Sequence, residues 1–142
     1  MRRAKLFISY ARGDDELFVE RLCTDLRDRG FTVWSDRASM PSRALTFLQE
    51  IRDAIHACDR MLVVIGPLAV TSDYVRAEWQ YALVASKVVT PILRLGQYDL
   101  LPAELKNLHC PEFRGQRAYP DALAELLRIL DDPIPLDTTL EN

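Results

Sequence analysis

Met61-Leu62-Val63-Val64-Ile65 is an unbroken apolar run, bounded on one side by Asp59-Arg60 and on the other by Gly66-Pro67. A strand with one wet face alternates apolar and polar residues, whereas a strand without alternation is covered on both faces. Parallel sheets meet that condition, because each parallel neighbour is reached through a crossover that lays a helix on the sheet. The run therefore predicts the central strand of an α/β domain. The segments around it must supply the other strands and the helices that cover them.

They do so in alternation. Leu6-Phe7-Ile8 reads as a short buried strand running into a polar loop at residues 9–14. From Asp15 onward, Phe18, Val19, Leu22, Cys23 and Leu26 share one helical stripe; Asp14 is placed to cap that helix and Gly30 to stop it. Residues 31–34 read as a second strand and residues 35–43 as a long polar loop. Ser42 is the expected N-cap of a helix whose Phe47, Leu48, Ile51, Ala54, Ile55 and Cys58 form a core face. After the central strand, a helix is predicted from about Ser72 to Ser86, with Val75, Trp79, Ala82 and Leu83 turned inward. Residues 88–93 give a fourth strand, which Pro91 assigns to an edge or a bulge because it removes a ladder donor. Residues 102–105 read as a helical turn and residues 108–113 as a poor fifth strand. Pro120 opens a last helix with Leu123, Leu126, Leu127 and Leu130 on one face. Right-handed crossovers then bring the loops at 9–14, 35–43 and 66–72 to one rim, beyond the carboxyl ends of the strands, where such sheets bind ligands.

Composition narrows the function. With 142 residues, 49% hydrophobic and 27% charged, the chain suits one globular domain, expected over residues 1–132, with a linker-like tail at 133–142. A formal net charge of -3 leaves no surplus of cations for a nucleic-acid backbone, so no direct nucleic-acid partner is expected. No run approaches the roughly 20 apolar residues that span a bilayer, and the basic start is followed by an apolar run too short for a signal sequence. No membrane partner and a cytoplasmic location are the expectation. Cys23, Cys58 and Cys110 are odd in number, far apart and without CxxC spacing, which argues against a disulfide framework or a zinc site.

The glycines form neither GxGxxG nor GxxxxGK[ST], so no phosphate cradle of those types is encoded. Of the two histidines, His56 falls between core positions of the second helix and reads as a boundary residue. Tyr74 and Glu78 are i,i+4 neighbours next to the Val75-Trp79 stripe, so a carboxylate and an aromatic ring share one helix face near the rim. From spacing alone, the commoner reading is a solvated glutamate beside a packing tyrosine.

Several stretches together resemble one family. Leu6-Phe7-Ile8-Ser9-Tyr10-Ala11-Arg12 looks like the first motif of Toll/interleukin-receptor (TIR) domains, and Ser72-Asp73-Tyr74-Val75-Arg76-Ala77-Glu78-Trp79 looks like their aromatic-x-x-x-Glu helix segment. Phe31-Thr32-Val33-Trp34-Ser35-Asp36 is similar to the second strand and its aspartate, and Met40-Pro41-Ser42-Arg43-Ala44-Leu45-Thr46-Phe47 to the family's BB loop. The resemblance spans about residues 4 to 114 in the family's order.

It implies a flavodoxin-like sheet of about five parallel strands with helices on both faces. For many bacterial and some other members it also implies NAD cleavage that feeds antiphage defence or cell death, switched on by self-association into homo-oligomers or filaments. Other members are scaffolds, so a non-catalytic homotypic interaction module is the alternative. NAD would be substrate rather than cofactor, and no metal is called for. By position, Glu78 matches the family's catalytic glutamate; Tyr10, Arg12, Asp36, Arg43 and Tyr74 match the substrate-binding positions. Two departures stand out: Ala11 follows the motif tyrosine where a basic residue is frequent, and Ala44 occupies a BB-loop site that is often glycine. A receiver-like domain is a weaker reading, because that class gathers acids around a phosphoacceptor aspartate.

Overall fold

A computed structural model describes residues 3–35 and 44–132. The expected tail at 133–142, the Ser42 cap, and the loop positions Asp36 and Arg43 lie outside the described residues. The elements alternate as expected: β1 (Lys5–Ser9), α1 (Arg12–Asp28), β2 (Thr32–Trp34), α2 (Ala44–Ala57), β3 (Arg60–Ile65), α3 (Asp73–Val84), β4 (Val88–Leu93) and α4 (Tyr119–Asp131). All pairings in the sheet are parallel, in the order β2-β1-β3-β4, so the apolar run of β3 lies in its interior and is buried throughout.

Each strand sends alternate side chains to opposite faces. Leu6, Ile8, Tyr10, Leu62, Val64 and Ile92 meet the buried stripes of α1 and α4. Phe7, Met61, Val63, Ile65 and Leu93 meet α2 and α3 through Ile51, Ile55, Val75 and Trp79. Leu83 departs from its expected inward place and is partly exposed at 37%, one position past the buried Ala82. No helix among the described residues is long and apolar enough to cross a membrane.

The expected fifth strand is reduced to a single parallel bridge, Leu93 to Glu112, among the described residues. The Leu93 amide donates to the Pro111 carbonyl at 3.0 Å, and the Phe113 amide to the Leu93 carbonyl at 2.8 Å. Pro111 itself has no N–H to extend this ladder. Leu93 thus directs both backbone groups away from β3, and Pro91, two residues earlier in a period-two strand, directs its missing N–H the same way. The proline costs no internal hydrogen bond, as its expected edge position requires.

Gly30 closes α1 as expected, at φ +94, with its own amide on the Arg27 carbonyl and the Phe31 amide on the Leu26 carbonyl. The start of α1 differs from expectation. Asp15 has non-helical torsions and accepts the Phe18 amide at 3.1 Å, which gives it the capping role expected of Asp14. Asp14 instead crosses to the loop after β3, where its two carboxylate oxygens accept the amides of Leu68 at 2.9 Å and Ala69 at 2.8 Å. Gly66 makes room for it, since a Cβ at that residue would sit 2.5 Å from the Asp14 carboxylate.

The carboxylate of Asp14 therefore ties the first and third strand-end loops together. Asp14→Ala is expected to lower unfolding stability by about 1–2 kcal/mol, the usual size of a lost cap, read from the midpoint of urea denaturation. Gly66→Ala should be at least as damaging, because it evicts the same carboxylate.

Candidate active site

The site starts from the end of β1. Phe7 and Ser9 point to the α2/α3 face, Ile8 and Tyr10 to the α1/α4 face. Ser9 is the polar exception in an apolar strand and is fully buried. Its hydroxyl donates to Glu78 Oε1 at 2.6 Å. On α3, Ser72 caps the helix by accepting the Val75 amide at 3.2 Å, and this start sets the phase in which Val75, Glu78, Trp79 and Ala82 all face inward.

Glu78 is only 4% exposed, contrary to the ordinary expectation of a solvated helix acid. A carboxylate taken from water costs several kcal/mol unless hydrogen bonds replace its hydration, and the short bond from Ser9 is such a replacement. The side chain is held rigidly at the wall of a cleft between α2 and α3. Ile51, Arg52 and Ile55 line it from α2, and Tyr74, Glu78 and Tyr81 from α3, around a volume of about 110 Å³. Tyr74 stands at the rim end, half exposed at 51%. A larger groove of about 550 Å³ lies at the other end of β1 and β2, lined by Trp34, Glu50 and Asp53 among others. It is broader and shallower, and the buried ionisable group that lines it, Cys58, is a thiol rather than a carboxylate.

The structure thus brings Glu78 and Tyr74 into one cleft. Tyr10 lies apart, buried at 8% exposure in the cluster on the opposite face of the sheet. Arg12 is exposed at the first turn of α1. Ala44 is the first residue of α2, inside the helix, where alanine is favoured and a left-handed backbone is not needed.

Sequence patterning does not single out two lining residues, Tyr81 and Arg52, or the buried donor Ser9 behind Glu78. The signals present are period two from Phe7 for Ser9, the seven-residue offset from Tyr74 for Tyr81, and, for Arg52, only its place next to Ile51. His56, expected as a boundary residue, sits exposed at the end of α2, with Nε2 2.5 Å from the Tyr81 hydroxyl. Among the described residues, two acids of the rim are occupied structurally. Asp15 pairs with Arg94 at 2.9 Å, and Asp14 holds the loop described above, so neither forms the open acid cluster of a receiver. Burial pushes the Cys58 and Cys110 thiols up to about 11, which leaves both protonated and poorly nucleophilic at neutral pH.

Ser9→Ala is expected to cost about 1–3 kcal/mol of unfolding stability, because it takes a donor from a buried carboxylate. In a Glu78→Gln background the same change should cost less, since a neutral amide is cheaper to leave under-bonded. A double-mutant cycle by chemical denaturation measures the difference; equal costs in the two backgrounds would place the Ser9 contribution elsewhere.

Comparison with known proteins gives a consistent relationship. The family model described as TIR domain matches residues 6–127. The stimulator of interferon genes protein of Magallana gigas is 26% identical over 133 residues, which is 89% of this chain and 32% of that protein. The chain therefore spans well under half of that relative's length. The crystal structure of the TIR domain of the Toll-related receptor TRR-2 from Hydra magnipapillata matches with a TM-score of 0.73 and 24% identity, over 89% of this chain and 98% of that one. The TIR domains of the activated Roq1 resistosome match with a TM-score of 0.69 and 15% identity, over 89% and 98%. At these identities the structural likeness is one of fold.

Proposed function

Since this chain belongs to the TIR domain family, we propose that it hydrolyses the N-glycosidic bond of NAD, with Glu78 as the catalytic residue. The observation that carries the reading is a desolvated carboxylate, fixed by Ser9, in the wall of a cleft that also presents the Tyr74 ring.

The bond in question joins ribose C1′ to a pyridinium nitrogen. When it breaks, the electron pair goes to that nitrogen and neutralises the ring, so the leaving group needs no general acid. The ribose is left with oxocarbenium-like charge. Water then adds its hydroxyl to C1′ and gives its proton to solvent. The remaining task for the protein is to stabilise the positive charge and hold the ribose hydroxyls, which one carboxylate can do, in contrast to the paired acids of most glycoside hydrolases. In the low-dielectric wall of the cleft, Glu78 interacts with that charge more strongly than it would in water. Tyr74 is placed to stack on a flat ring at the mouth, a contact worth about 1 kcal/mol.

At about 110 Å³ the cleft is smaller than the roughly 300–1,000 Å³ of pockets that enclose whole ligands. This supports a site completed by a second TIR domain, with turnover coupled to self-association. The chain would then act as the effector module of a larger immune or cell-death protein. A purely scaffolding module is the competing account, and turnover of NAD at high protein concentration separates the two.

Glu78→Gln is expected to lower NAD cleavage about a hundredfold or more, while the circular dichroism spectrum and unfolding midpoint stay near wild type. Undiminished turnover in the folded variant would falsify the assignment. Tyr74→Phe should be tolerated and Tyr74→Ala should weaken substrate use; if the phenylalanine variant is as poor as the alanine one, the hydroxyl rather than the ring is what matters. Activity per molecule should also rise with protein concentration, tracked alongside sedimentation.

A further inference from the structure

The charge balance of the cleft points to a preference that the proposed reaction does not require. Arg52 lines the cleft from α2, with its guanidinium carbon 5.7 Å from the centroid of the Tyr81 ring. The acids and donors near it are engaged elsewhere: Asp53 accepts from Gln49, the Tyr81 hydroxyl pairs with His56, and Lys87 donates to the His56 carbonyl. Among the described residues Arg52 meets no carboxylate. It rests on an aromatic face, an arrangement that holds the guanidinium plane while leaving its N–H edge for an acceptor.

The size of the cleft limits what that acceptor can be. About 110 Å³ admits a single aromatic ring, not a dinucleotide. With the scissile C1′ against Glu78, the space that remains is filled by the departing pyridine ring and the substituent it carries. A cation lining so small a volume meets that substituent, rather than phosphates at the far end of the substrate. A carboxamide offers a guanidinium one neutral oxygen, whereas a carboxylate offers two charged ones in the matching fork geometry. The Glu78 carboxylate lines the same cleft, so a preference for the acid needs a cation in the wall, and Arg52 is placed to supply it.

We propose that Arg52 reads the substituent of the pyridine ring and makes the cleft favour an anionic carboxylate over a neutral carboxamide. The substrate class then includes, and by affinity prefers, a dinucleotide whose leaving ring is a pyridine carboxylate. This rests on the reading of the Glu78 cleft as the place where the ring departs.

The test uses the intact chain and the two free rings, nicotinate and nicotinamide, titrated at neutral pH and followed by NMR shifts of the Arg52 and Tyr81 signals. Nicotinate should bind about tenfold more tightly than nicotinamide. Arg52→Gln should abolish the preference for nicotinate, and Arg52→Lys should keep part of it. Equal or weaker binding of nicotinate, a preference that survives in Arg52→Gln, or no shift with either ring overturns the proposal. Cleavage of NAD and of its acid analogue is measured separately. A nicotinate preference without any cleavage rejects the hydrolase reading and keeps the role of Arg52; cleavage without the preference does the reverse.

Discussion

The two-sided burial of β1 is the constraint on which the site depends. Because helices cover both faces of the sheet, consecutive residues of β1 enter different cores, and a shift of one residue would exchange them. Phe7 and Ser9 belong to the α2/α3 side, Ile8 and Tyr10 to the α1/α4 side. The register of β1 against β3, with Ser9 opposite Val63, fixes the height at which the hydroxyl emerges. The cap at Ser72 fixes the phase of α3. A buried carboxylate meets its donor only where those two settings agree, so the Ser9–Glu78 bond links the geometry of the candidate site to strand register.

The rim is organised by charges that serve the backbone. Asp14 and Asp15 are adjacent and chemically identical, yet one holds the loop after β3 and the other begins α1 and pairs with Arg94. Arg94 also donates to the Phe113 carbonyl at 2.6 Å and lies over the Phe18 ring at 4.6 Å. One guanidinium thereby joins the end of β4, the start of α1 and the segment after the last strand. Half-buried pairs of this kind add less to stability than their number suggests, but they set where each loop leaves the sheet.

The sheet was legible in the sequence because its signals are local: the unbroken run of β3, the stripes of four helices, and Pro91 as a mark of the edge. The exchange of roles between Asp14 and Asp15 was not, since both residues satisfy the same capping rule and the choice is made by a loop more than fifty residues away. The expected fifth strand shrinks to one bridge because residues 108–113 carry apolar content but lose a ladder donor at Pro111, in their midst. Within the site, Glu78 and Tyr74 were visible as a helical pair. The burial of Glu78 depends on a serine from another element, which helical spacing cannot contain. Arg52 was hidden for a similar reason, because a cation one position from a core stripe reads as solvated until the facing helix is placed.

Pro91 has a consequence for what happens when many copies of the domain are crowded together. An exposed sheet edge is a template on which other chains add strands, and concentration drives that addition. Here the outward-facing groups of Leu93 are already taken by residues 111 and 113, and Pro91 offers no donor to an incoming strand. Growth of the sheet through β4 is therefore blocked at adjacent outward positions. At high local concentration that edge resists conversion of clustered copies into cross-β aggregates.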